Sequence, residues 1–99
     1  MKQRWSRLLR ALGEFRRSLK QRKLIPVGNG AGLTGCPNTA LADCKSRLVE
    51  VLLPWDEHDQ IVNGLNNAHT YFVSGEFGAA HWEAIQAHRR AKTLRRLYA

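Results

Sequence analysis

Acidic residues are nearly absent from the first quarter of the chain. Between Lys2 and Lys23 there is one, Glu14, against nine Lys/Arg. Long apolar runs are absent as well. Nothing approaches the ~18 residues of a membrane span, and no apolar segment of a secretory signal follows the basic N-terminal stretch. Cysteine is scarce. Cys36 and Cys44 are too few for a disulfide framework, their spacing is not that of a zinc ribbon, and no C-x-x-C occurs. Two reduced thiols are expected, with one short-loop disulfide as the alternative.

The motifs of common chemistries are missing too. His58, His69, His81 and His88 form no H-E-x-x-H and no ligand spacing with the cysteines. His81 and His88 share a side of one helix seven residues apart, too far for one metal to bridge readily. There is no G-x-S-x-G, P-loop or Cys/His nucleophile pattern. Gly30-x-Gly32-x-x-Gly35 matches the dinucleotide fingerprint as a string. That fingerprint needs a strand before it and a helix directly after it, and Pro26 interrupts the preceding apolar run. The expectation is a non-enzyme without metal, cofactor or small-molecule substrate.

What the sequence does have is charge, unevenly placed. The net charge is +8, with a pI near 10.4. Lys2 to Lys23 carries +8, Leu24 to His88 carries −5, and Arg89 to Ala99 carries +5. The partner implied is acidic: nucleic acid, an acidic protein surface or anionic lipid. The basic termini can also pair with the chain's own acidic middle.

The N-terminal stretch has helical periodicity. Trp5, Leu8, Leu12, Phe15 and Leu19 recur at spacings of 3, 4, 3 and 4 and fall, with Leu9, within an arc of about 120°. Arg4, Arg7, Arg10, Arg17, Lys20 and Arg22 lie outside it; Arg16 and Lys23 project into or beside it. The apolar face is either core or an interface through Trp5, Leu12 and Phe15. Lys23 to Thr39, with four glycines and two prolines, excludes regular helix. A second helix is expected over about 39–53, with Leu41, Cys44, Leu48, Val51 and Leu52 on one face and Asn38 or Thr39 as cap. Pro54 stops it. A third is expected over 57–73 from an Asp56 cap, with Ile61, Leu65, Ala68 and Phe72 inside, ending at Ser74-Gly75. A fourth spans 77/78–97, with Phe77, Ala80, Ala84, Ala87 and Ala91 on one face. Trp82 points away from it, to pack against the N-terminal helix or to anchor a partner.

Residues 61–91 resemble one tetratricopeptide-type helical hairpin. Ala68, Tyr71, Gly75, Phe77, Ala80 and Ala87 stand at that repeat's offsets. Asn67 replaces its leucine, Ala84 its later aromatic, and Lys92 its closing proline. The resemblance implies two antiparallel helices and, in that family, a protein-binding scaffold.

The expected architecture is all-α: a small three- to four-helix bundle, with residues 1–23 a basic amphipathic helix or arm, 24–38 a Gly/Pro linker and 39–99 the helical body of a single domain. The leading functional expectation is non-catalytic binding of DNA or RNA through phosphate contacts. Arg4, Arg7, Arg10, Arg17, Lys20 and Arg22 would supply them, helped by Arg89, Arg90, Arg95 and Arg96. Arginine outnumbers lysine 11 to 5, as suits bidentate phosphate contacts. The alternative is a protein-interaction module, a small regulator or assembly subunit, using Trp5, Leu12, Phe15 and Trp82. Third is association of the N-terminal helix with a membrane surface. The expected location is intracellular, cytoplasmic or nuclear. A basic, acid-poor amphipathic N-terminus also describes a mitochondrial transit peptide, although this one has only two serines, Ser6 and Ser18.

Overall fold

The structure, a computed structural model, describes residues 2–21 and 37–98. They form four helices: α1 (Lys2–Gln21), α2 (Pro37–Glu50), α3 (Trp55–Val73) and α4 (Phe77–Tyr98). No strand occurs among the described residues. Arg22, Lys23, the Gly30/Gly32/Gly35 string, Cys36 and most of the expected linker lie outside them.

α1 follows the periodicity of its sequence. Trp5, Leu8, Leu12, Phe15 and Leu19 are all buried, at 0–4% exposure. Full burial of a large apolar side chain stabilises by roughly 1.5–3 kcal/mol. Re-exposing all five would cost about 8–15 kcal/mol, comparable to the whole stability of a domain. The apolar face of α1 is therefore core. Trp5, Leu12 and Phe15 are not surface anchors in the folded chain, and α1 belongs to the bundle rather than projecting as an arm.

Three helix ends differ from expectation. α2 begins at Pro37, a first-turn position where a missing N–H costs nothing, and stops at Glu50. Leu52 is thus off the helix and 78% exposed. α3 begins at Trp55, not Glu57, with Pro54 in the cap position and no side-chain cap. Asp56 and Glu57 instead occupy the first turn, where the helix dipole favours acids. The other end is as expected. Gly75 has φ 85°, its N–H donates to the Phe72 carbonyl at 3.1 Å, and the Glu76 N–H donates to Tyr71 at 2.8 Å. These are the two bonds of a Schellman stop. The Phe72 and Phe77 rings meet edge to face across it, with centroids 5.3 Å apart.

The four helices form a ring. α1 lies between α2 and α4, and α3 closes the ring against α4 and, more lightly, α2. Neighbours run antiparallel. The Arg4 side chain reaches the Glu50 carbonyl, Gly13 faces His88 and Gly64 faces Ala87, and Glu57 pairs with Arg90. The α3–α4 hairpin has the antiparallel geometry that the tetratricopeptide resemblance implies. Ala80, Ala84, Ala87 and Ala91 are buried between helices, and their small side chains let α4 approach its neighbours closely. No helix among the described residues is long and apolar enough to cross a membrane.

Candidate functional site: a basic groove between α1 and α4

The ring order segregates charge. α1 and α4 are neighbours and together hold twelve Lys/Arg and two acids; α2 and α3 hold two Lys/Arg and five acids. The chain's two basic segments, far apart in sequence, thus share one side of the bundle. Self-neutralisation by the acidic middle is slight. Among the described residues, Arg90 is the only cation of the two basic segments in an ion pair. It binds Glu57 bidentately, through Nε at 3.1 Å and Nη2 at 2.5 Å.

The expected phosphate contacts divide accordingly. Arg4, Arg7, Arg10, Arg17, Lys20, Arg89, Arg90, Arg95 and Arg96 are all exposed; Arg22 lies outside the described residues. Arg4 is partly engaged at the end of α2, with Nη1 donating to the Glu50 carbonyl at 3.4 Å. Arg90 is held by Glu57. The remaining seven meet no carboxylate among the described residues.

Where α1 meets α4, a recess of roughly 330 Å³ is lined by Gly13, Arg16, Arg17, Lys20, His81 and His88. No acid lines it. Arg16 projects into or beside the apolar arc of α1. In the fold it is half-buried, and its Nη1 donates to His88 Nδ1 at 3.0 Å. An arginine is always protonated, so Nδ1 is the acceptor and the imidazole proton sits on Nε2. Burial, then Lys92 and Arg16, push the His88 pKa down to about 4, so the ring is neutral at physiological pH. Burial, then Arg16 and Lys20, also lower that of His81.

Helical spacing extends this stripe. His81, His88, Lys92 and Arg95 follow at intervals of 7, 4 and 3, one face of α4. Beside it run Trp82, Arg89 and Arg96, each seven apart; on α1, Arg10 and Arg17 have the same interval. Trp82 is 59% exposed. It does not pack into α1 as the simpler expectation had it, and it stands in the arginine row. Arg16, His81, His88 and Lys92 join the site only in the fold. Their 7-4-3 spacing was visible; their apposition to α1 was not.

Cys44 is fully buried, and burial, then Asp43 and Glu14, push its thiol up to about 12. The thiolate needed for nucleophilic attack is not populated there.

No family model matches the chain, and neither a curated protein nor a solved structure is similar to it.

Proposed function

We propose that this is a non-catalytic protein whose α1–α4 face binds the phosphate backbone of nucleic acid. The observation that carries this is the convergence of the two basic helices on one side of the bundle, with Arg90 alone, among the described residues, neutralised there by a carboxylate. Uncompensated arginines of that density are unnecessary for solubility and match the electrostatic footprint of a phosphate-binding surface. The contacts are assigned to Arg10, Arg16, Arg17, Lys20, Arg89, Lys92, Arg95 and Arg96. Arg4 and Arg90 take structural ties, to Glu50 and Glu57.

Trp82 adds a planar apolar surface within this face, of the kind on which unpaired bases stack. Membrane association by insertion of α1 loses its basis, because the apolar face such insertion needs is buried. The acidic-protein alternative uses the same cations and is separated by experiment.

The test is charge reversal. Arg10→Glu with Arg17→Glu should weaken binding of every DNA and RNA sequence alike, since phosphate contacts position without specifying. Arg47→Glu, on α2 and outside the α1–α4 recess, should leave binding unchanged. Equal effects of the two variants would refute the assignment of the face. Salt-tolerant binding of one acidic protein, with none of nucleic acid, would establish the alternative.

A further inference from the structure

The α1–α4 recess differs from the rest of the basic face. It holds a half-buried guanidinium that meets no carboxylate among the described residues and is tied down at one nitrogen by a neutral imidazole. Charged side chains taken out of water are normally paired. Arg16 has no such partner among the described residues, and it lines the recess together with two further cations, Arg17 and Lys20. Lys20 stands one helical turn along α1, with Arg17 beside it and His81 opposite on α4. The roughly 330 Å³ available holds a tetrahedral oxyanion with room for an ester substituent and water.

We propose that this recess is a single-phosphate socket, in which Arg16 and Lys20 grip the phosphate oxygens and His81 donates a hydrogen bond from the facing helix. The nucleic-acid reading supplies the source of the phosphate; the socket itself stands on the geometry of Arg16, Lys20 and His81. His81 also links the socket to pH. The charged and titratable groups facing it are Arg16, Arg17 and Lys20 from α1 and His88 from its own helix, and among them there is no acid. Burial, then Arg16 and Lys20, favour its uncharged form. A bound anion favours the charged form, so binding takes up a proton and tightens as pH falls.

The test is an NMR titration of the full chain with sodium sulfate, whose charge is constant across the range used. Parallel titrations use inorganic phosphate and a short oligonucleotide with and without a 5′-phosphate. Sulfate should shift signals around Arg16, Lys20 and His81 and raise the pH at which the His81 ring titrates. Affinity should improve about threefold or more between about pH 7.5 and about pH 5.5. Lys20→Gln, at an exposed position, and Arg16→Gln should each weaken sulfate binding about tenfold; if Arg16→Gln fails to fold, Lys20→Gln carries the test. His81→Gln should keep part of the affinity and lose its pH dependence. A preference for the 5′-phosphorylated oligonucleotide would assign a terminal phosphate, and equal binding an internal diester. Sulfate shifts spread evenly over Arg10, Arg89 and Arg96, with His81 unmoved, would overturn the socket while leaving the phosphate-binding face intact. Sulfate seated in the recess with no oligonucleotide bound would keep the socket and refute the nucleic-acid reading.

Discussion

Gly64→Ala should stabilise the protein, which is unusual for a substitution at a helix–helix contact. Gly64 lies in the interior of α3, where glycine costs about 0.8–1.0 kcal/mol relative to alanine. The usual reasons for keeping a glycine are missing. Gly75 is the only glycine with positive φ among the described residues. A Cβ at position 64 would meet the Ala87 Cβ at 3.7 Å, an ordinary contact. The cleft beside it, lined by Gln60, Ile61 and Ala87, leaves room for a methyl group. Partial burial of that methyl adds about 0.4 kcal/mol, half the value of a fully buried CH₂. The sum is about 1.3 kcal/mol, or a rise of roughly 5–10 °C in Tm for a domain of this size. Gly75→Ala should act in the opposite direction. Its φ of 85° costs an L-residue about 1–2 kcal/mol. Thermal unfolding followed by far-UV circular dichroism reads both. A fall in Tm for Gly64→Ala would refute the close but unstrained α3–α4 contact at Ala87.

Two further substitutions probe the core and its charge. Ala84 is 1% exposed, on the alanine face that packs toward Ile61, Leu65, Ala68 and Phe72; Ala84→Leu should overpack it and cost about 1–3 kcal/mol, and an unchanged Tm would contradict that packing. His88 makes stability depend on pH. Its folded pKa of about 4 lies below the ordinary 6.5, so between these values the unfolded chain binds more protons and acid favours unfolding. This contribution is complete above about pH 6.5 and is lost as pH falls toward 4, by about 3 kcal/mol. Urea unfolding across that window should show the loss, and His88→Gln should remove that part of it.

The helices were legible because their apolar residues repeat at 3 and 4, and burial of Trp5, Leu8, Leu12, Phe15 and Leu19 follows that pattern directly. Helix ends were less legible. Proline was read as a stop at Leu53, whereas α2 ends earlier, at Glu50, and leaves Leu52 in water. Asp56 looked like a cap, yet Pro54 occupies that position and Asp56 serves the first turn. The charge imbalance was plain in the sequence. Its spatial meaning was not, because it depends on α1 and α4 being neighbours in the ring. The Arg16–His88 bond joins residues 72 apart, and no local pattern encodes it. Of the two roles open to Trp82, packing against the N-terminal helix or anchoring a partner, its exposure in the fold leaves only the second.

The most direct measurement of the central claim is a salt titration of fluorescence anisotropy, using labelled duplex DNA and single-stranded RNA with the full chain. If six of the eight assigned cations meet duplex phosphates, log K should fall with log salt at a slope of about −5, from roughly 0.9 per contact. Arg10→Glu with Arg17→Glu should reduce that slope by about 2. Absence of binding to both nucleic acids at about 50 mM salt, or a slope near zero, would contradict the assignment of the α1–α4 face to phosphate.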